Sequence, residues 1–231
     1  MDLSLARQRA ATVEVWRADA ATRPAGAWEQ LPDVAVHTTG IAVRQWNGAH
    51  VTGPEPDLEA ATQWFRDRDM PWAVLVPEEQ DLRPGPLLTT QTVMLRDLDD
   101  LPPLPAVDLR WADEGAVAVQ REAFADDLAG EFVLPKLVNP ACAVVTAYDG
   151  GPVSTGTLVV VDGVAALYGV GTVAEHRGQG LGRAVTLALL HEGRRRGCDL
   201  AFLNPSDLGY SVYAGLGFMD APAWRVHAGS E

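Results

Sequence analysis

Arg177-Gly178-Gln179-Gly180-Leu181-Gly182 stands between an apolar run, Val164–Val173, that reads as a strand and a strongly helical run, Arg183–Arg196. Glycines at a strand-to-helix turn let backbone amides converge without side-chain obstruction, and the helix start adds positive potential. Together they make an anion site suited to a pyrophosphate. One charge interaction at a helix terminus is worth roughly 0.3–1 kcal/mol, up to about 2 when partly buried. Several amide bonds to a dianion therefore support about micromolar binding once the rest of a ligand is in contact. A phosphate loop of the nucleoside-triphosphatase kind needs Gly-Lys-Ser/Thr, and no lysine stands here. The dinucleotide pattern Gly-x-Gly-x-x-Gly fails because Arg183 occupies its last position. The plain alternative is a glycine turn needed only for tight strand-to-helix packing.

The flanks read as alternating elements. The helix places Val185, Ala188 and Leu189 on one stripe and carries Arg194, Arg195 and Arg196 at its negative end, with Gly197 suited to a left-handed terminus. Before it, Cys142–Tyr148, Val153–Val161 and Val164–Val173 predict an antiparallel meander, turning at Asp149–Pro152 and at Asp162-Gly163. Val107–Trp111 predicts a strand and Asp113–Ala125 a helix, with Val117, Gln120, Arg121 and Phe124 around its turns. After the loop come a strand at Leu200–Leu203, a helix at Asp207–Leu216 and a strand at Phe218–Val226. Three prolines within Pro102–Pro105 cannot continue a helix or an internal strand, so residues 99–106 are expected to link residues 1–98 to residues 107–231. In the first part, Leu3–Ala20 predicts a helix, and Val34–Val51 a hairpin turning at Asn47-Gly48. Asp57 predicts the cap of a helix running to Asp69, and Trp72–Val76 and Leu87–Leu95 predict strands. His37 and His50 look isolated, in structural or solvent-exposed roles.

The whole chain has 231 residues, 47% of them apolar, with 18 basic and 31 acidic side chains and a net charge of −13. That length and apolar content fit one large or two small domains and exclude a disordered chain. The negative charge argues against nucleic-acid binding. No run of about 18 uncharged apolar residues predicts a membrane span, and the charges scattered through residues 1–20 leave no apolar core for a secretion signal. Cys142 and Cys198 alone build neither a disulfide framework nor a four-ligand zinc site, which points to the cytoplasm. One lysine, Lys136, against 17 arginines fits a GC-rich bacterial coding bias.

The glycine segment also resembles the signature of the Gcn5-related N-acetyltransferase (GNAT) superfamily, Gln/Arg-x-x-Gly-x-Gly/Ala, at every fixed position. Val170-Gly171-Thr172 before it and Tyr213-Ala214-Gly215-Leu216-Gly217-Phe218 after it match in order and spacing, so the resemblance covers residues 107–226. Ala174 replaces a proline common in the family. The resemblance implies an α/β (α+β) fold, with a mixed, mostly antiparallel sheet and flanking helices, preceded by a smaller α/β part. It implies acetyl-CoA or another short acyl-CoA as co-substrate, and no metal. Val170, Gly171 and Thr172 would line the pantetheine and acyl group, while Arg177, Gly178, Gln179, Gly180, Leu181, Gly182 and Arg183 would hold the pyrophosphate. Asn204 or Ser206 would touch coenzyme A. Tyr213 would protonate the departing thiolate, a phenol of pKa near 10 facing a thiol near 8.5; Tyr210 falls one turn early for that part.

An amine of pKa near 10.4 is neutral in only about 1 part in 2,500 at pH 7, so a base is needed. Glu122, Asp126, Asp127 and Glu131 are the candidates, and His176 reads as a surface residue. The implied reaction is direct acyl transfer to a small-molecule or protein amine in a ternary complex, the carbonyl polarised by an amide near Val170–Thr172. Alignment of the reactants supplies up to about 7–11 kcal/mol. Two rivals stand beside it: an acyl-CoA sensor or partner-binding pseudoenzyme, and a binder of some other phosphate. Residues 1–98 fit either a degenerate second copy or an accessory domain, with one acyl-CoA site per chain in both cases. No nucleic-acid or membrane partner is implied, and a homodimer is compatible with the family.

Overall fold

A computed structural model of the chain describes residues 3–230. In chain order its elements begin with α1 (Leu3–Ala21), β1 (Ala27–Leu31), β2 (Val34–Thr38), β3 (Asn47–Val51), α2 (Leu58–Arg66), β4 (Ala73–Pro77) and β5 (Leu87–Asp97). Then come β6 (Asp108–Trp111), α3 (Gly115–Phe124), α4 (Ala129–Val138), β7 (Cys142–Tyr148), β8 (Pro152–Val161) and β9 (Val164–Thr172). The last are α5 (Leu181–Arg195), β10 (Leu200–Leu203), α6 (Asp207–Ala214) and β11 (Met219–Ala228). The chain forms two compact units, residues 1–93 with 221–231, and residues 94–220. No described helix is long and apolar enough to cross a membrane.

In the first unit the strands lie in the order β1-β2-β3-β4-β11, with β3 and β4 parallel and the other neighbours antiparallel. Helix α2 starts where the sequence placed it, because the Asp57 carboxylate accepts the Ala60 N–H at 2.9 Å. It ends at Arg66, and Trp64 and Phe65 bury against Val34, Val36, Ala49 and Val74. The hairpin is corrected. Asn47-Gly48 is the start of β3, and neither residue has a positive φ. The turn is the longer loop from Thr39 to Trp46. Its connection is held by the buried Asn47 side chain, whose Nδ2 donates to the carbonyls of Ile41, Val43 and Pro71 while Oδ1 accepts from Thr38 Oγ1 and Thr39 N. An amide with that many partners fixes the loop better than its left-handed propensity could.

His37 and His50 are not isolated either. Their rings lie 5.2 Å apart, fully enclosed between Trp16, 4.7 Å from His37, and Trp224, 5.6 Å from His50. Burial drives both imidazoles to the neutral form, His37 well below its ordinary value and His50 to about 3. Arg9 stacks over Trp224 at 4.1 Å and pairs with Glu79 at 3.1 Å.

In the second unit the order is β5-β10-β9-β8-β7-β6. Here β10 and β9 are parallel and the other neighbours antiparallel. The meander β7-β8-β9 stands as read, and Asp162 (φ 46°) with Gly163 (φ 74°) makes the two-residue turn. Leu181, Val185, Leu189 and Leu190 of α5 bury against the sheet with Leu158, Leu167 and Leu203. Arg194 and Arg195 lie in its last turn, and Gly197 is left-handed at φ 87°. One helix of this unit was not foreseen. Helix α4 runs through Pro135, which lacks an N–H and reads in sequence as a breaker. Val133 of α4 is nevertheless buried with Ala116 and Val144, and that packing offsets the lost hydrogen bond. The proline-containing segment 99–106 is irregular and lies within this second unit.

Candidate active site

The two strands that flank the glycine loop separate. β10 pairs with β9 only over Leu200–Leu203, opposite Val164–Leu167. Beyond that point β10 ends at Asn204-Pro205, while β9 runs on to Thr172 with its last five residues half-exposed. Among the described residues no strand covers that side of Tyr168–Thr172. On the other side β9 stays paired with β8, but the register slips: Thr155 faces Gly171 and Thr157 faces Tyr168, so two residues of β9 oppose Gly156 alone. This is a β-bulge, and bulges bend a strand and increase its twist. Gly169 lies in it at φ 58°. That conformation favours glycine, and a Cβ there would come within 2.7 Å of Gln120 Nε2 and displace it.

At the end of β9, Ser154 Oγ donates to the Gly171 carbonyl at 2.9 Å and meets Thr172 Oγ1 at 2.9 Å. Arg177 Nε donates to the Thr172 carbonyl at 3.1 Å, fastening the loop to the strand. Ala174–His176 form a turn of 3-10 helix, and then Gly178 and Gly180 are left-handed at φ 75° and 81°. Gly180 is the N-cap of α5, and no side chain caps the first turn. A Cβ at Gly178 or Gly180 would meet nothing within 4 Å, so these glycines serve the turn and the open space before it, not packing. The tight-packing reading of the loop has no support there. Arg183, in the first turn of α5, donates from Nη1 to the Gly215 carbonyl at 3.0 Å.

Tyr213 of α6 is 7% exposed and packs edge-on to Phe218, with ring centroids 6.0 Å apart. Burial raises its phenol to about 12. Ser206 is the N-cap of α6, its Oγ accepting the Gly209 N–H at 3.3 Å, and Asn204 is half-buried in the coil before it. Tyr210 donates to Asp220 at 2.8 Å, a pairing separate from Tyr213.

Residues 105–218 match the Acetyltransferase (GNAT) family. That segment is a GNAT domain. Solved structures share its fold: a GCN5-related N-acetyltransferase from Kribbella flavida is 22% identical with a TM-score of 0.76, covering 100% of this chain and 97% of that one. A conserved protein of unknown function from Staphylococcus epidermidis ATCC 12228 is 12% identical, with a TM-score of 0.65 over 89% of this chain and 95% of the other. A tandem GNAT protein from the clavulanic acid biosynthesis pathway is 17% identical, with a TM-score of 0.57 over 90% and 85%. No curated protein matches the chain.

In this GNAT unit the four carboxylates expected as bases fall in and after α3. The helix packs its C-terminal end on the splayed strand: a Cβ at Gly171 would meet Ala123 and Phe124 at 2.9 Å. Glu122 is exposed on that helix. Asp126 Oδ1 accepts the Leu128 N–H at 2.9 Å, just before α4, and Asp127 is exposed beside it. Glu131 lies on α4 and pairs loosely with Arg121 at 3.8 Å. His176 faces Asp149 at 3.8 Å. A cavity of about 290 Å³ lined by Trp111, Lys136, Cys142 and Glu192 lies at the opposite end of α5 and takes no part in the cleft. Sequence reading noted Gln120 only as a residue on a helix turn. Its contact with the bulge, like that of Ser154 with Gly171, depends on pairings between elements that no local pattern encodes.

Proposed function

We propose that the second unit is an acyl-CoA-dependent N-acyltransferase that moves an acetyl group from acetyl-CoA to an amine by direct attack in a ternary complex. The observation that carries this reading is the α5 N-terminus. It is preceded by two left-handed glycines, left without a side-chain cap, and set beside a strand end that has lost its neighbour. Orphan amides at a helix start attract anions, and here the chain supplies none of its own. The amides of Gly178–Arg183 would hold the pyrophosphate. The free edge of Val170–Thr172 would pair with the pantetheine arm as an added strand, and Asn204 would close the other side. Ser206, whose Oγ caps α6, would be the alternative contact on that side.

Attack by the neutral amine on the thioester carbonyl forms the C–N bond and pushes charge onto the carbonyl oxygen, which a backbone amide of β9 would stabilise. As the C–S bond breaks, Tyr213 would donate to the sulfur. Full proton transfer from a phenol at about 12 to a thiolate near 8.5 is uphill by about 5 kcal/mol at 1.36 kcal/mol per unit. The tyrosine therefore works as a hydrogen-bond donor whose proton moves only as the bond breaks. Glu122 or Asp127, whose carboxylates are exposed and carry no capping bond, would take the amine proton directly or through water. Metal and covalent enzyme intermediates have no part in this scheme. Release of free thiol from acetyl-CoA in the presence of an amine panel tests the assignment, and thiol release no faster than without protein refutes it.

A second reading keeps the cleft and drops turnover. It is favoured by one fact: Asp126 and Glu131 are already engaged, in a cap and an ion pair. An acyl-CoA sensor would bind the thioester at the same loop and release no thiol. The first unit, under either reading, is a degenerate GNAT-like copy or an accessory domain without an acyl-CoA site of its own.

A further inference from the structure

Gln120 is 5% exposed, on the face of α3 that meets the sheet, where neighbouring buried positions are Ala116 and Val119. A buried amide in apolar surroundings costs free energy unless it is hydrogen-bonded. Its Nε2 donates to the Gly169 carbonyl, inside the bulge of β9. Only the amide nitrogen can bond a carbonyl, so the chemistry fixes the side chain's orientation. The bulge disrupts the β8–β9 ladder at this point, and Gln120 supplies a donor to a carbonyl inside it.

The peptide unit that carries the Gly169 carbonyl also carries the Val170 N–H. In a trans peptide these two groups point in opposite directions within one plane. Holding the carbonyl toward α3 therefore sets the direction of the Val170 amide. We propose that Gln120 is a positioning residue for acyl transfer: through the Gly169 carbonyl it aims the Val170 N–H at the thioester oxygen. The inference rests on the function proposed above and adds a residue to it that the glycine signature does not contain. A donor must be aimed before the charge develops, since an amide that has to rotate during the reaction stabilises nothing until it has done so.

The test uses the full-length chain with Gln120→Leu and Gln120→Glu. Removing one oxyanion donor outright costs roughly 100–1,000-fold in kcat; misaiming one is expected to cost about 10–100-fold. Coenzyme A affinity should stay within about threefold, because the pyrophosphate loop is untouched. Gln120→Glu supplies the sharper readout. A carboxylate cannot donate to a carbonyl but a carboxylic acid can, and burial raises the pH at which the acid forms. The ratio of variant to wild-type kcat should therefore rise as pH falls. A flat ratio, or a Gln120→Leu variant with wild-type kcat, overturns the proposal. A crystal structure of Gln120→Leu gives a readout that needs no turnover. The Gly169–Val170 peptide is expected to rotate, and an unchanged peptide overturns the positioning role. A wild-type chain that binds no acetyl-CoA would sink the proposed function instead, with the peptide orientation still deciding what Gln120 holds.

Discussion

The two units each lead from a strand into a helix, and they finish the helix start in opposite ways. In the first, β3 leads to α2, whose N-terminus is closed by the Asp57 carboxylate, with Glu59 in the first turn. In the second, β9 leads to α5 through left-handed glycines, with no cap and no acidic residue in the first turn. One helix start carries its own anion and the other is left open to a foreign one. The cores differ in the same sense. The first unit's sets Trp64, Phe65 and Trp72 among valines and alanines and the unit also buries two neutral histidines, while the second unit's is mostly aliphatic around α5. The first helix start is closed for stability, and under the proposed function the second would be open for binding.

Giving α5 its own anion is the strongest way to break that contrast. Gly180→Asp keeps a residue type that tolerates the left-handed region and sets a carboxylate at the loop. Coenzyme A affinity measured by calorimetry should fall at least about 100-fold, some 2.7 kcal/mol, with little change in melting temperature. Retained affinity would mean that the loop does not hold the pyrophosphate. Next in size is Tyr213→Phe, expected to lower kcat about 10–100-fold with acetyl-CoA affinity nearly intact. Because burial holds the phenol at about 12, the wild-type pH–rate profile should show no falling limb from Tyr213 between pH 8 and 10. A limb near 10 that disappears in Tyr213→Phe contradicts this.

The first unit has a pH dependence of its own. His37 and His50 bind protons less readily folded than unfolded, so the unfolded state takes up protons first as pH falls below about 6.5. Stability is fully present above that value and lost toward the folded pKa, about 3 for His50. By pH 5 the loss from His50 is about 2 kcal/mol, and His37 acts in the same direction. Six of the seven tryptophans, all but Trp111, belong to the first unit, so fluorescence-detected unfolding follows it. His50→Phe should flatten the dependence between pH 5 and 6.5, and an unchanged slope would remove His50 as its source. Smallest is Asp57→Ala, expected to cost about 1 kcal/mol in chemical denaturation and to leave coenzyme A binding as it was.

The sequence showed most where the physics is local. Asp57 as a cap, Asp162-Gly163 as a two-residue turn, Gly197 as a helix stop and the loop before α5 each depend on residues within one turn of chain. It misled at Asn47-Gly48, where left-handed propensity suggested a tight turn but the Asn47 side chain organises a longer loop. It was silent on α4, where tertiary burial keeps a helix going through Pro135. The histidine pair, the return of β11 to β4 and the hold of Gln120 on Gly169 arise from contacts between distant segments, about which periodicity carries no information. The same holds for the general base: four nearby carboxylates were visible, but nothing in their spacing ranks them.

Titration calorimetry of the full chain with coenzyme A puts the open helix start most directly at risk. The account predicts one site per chain with about micromolar affinity, unaffected by equal concentrations of ATP or NAD. Absence of binding at millimolar coenzyme A, or two equivalent sites per chain, would contradict it.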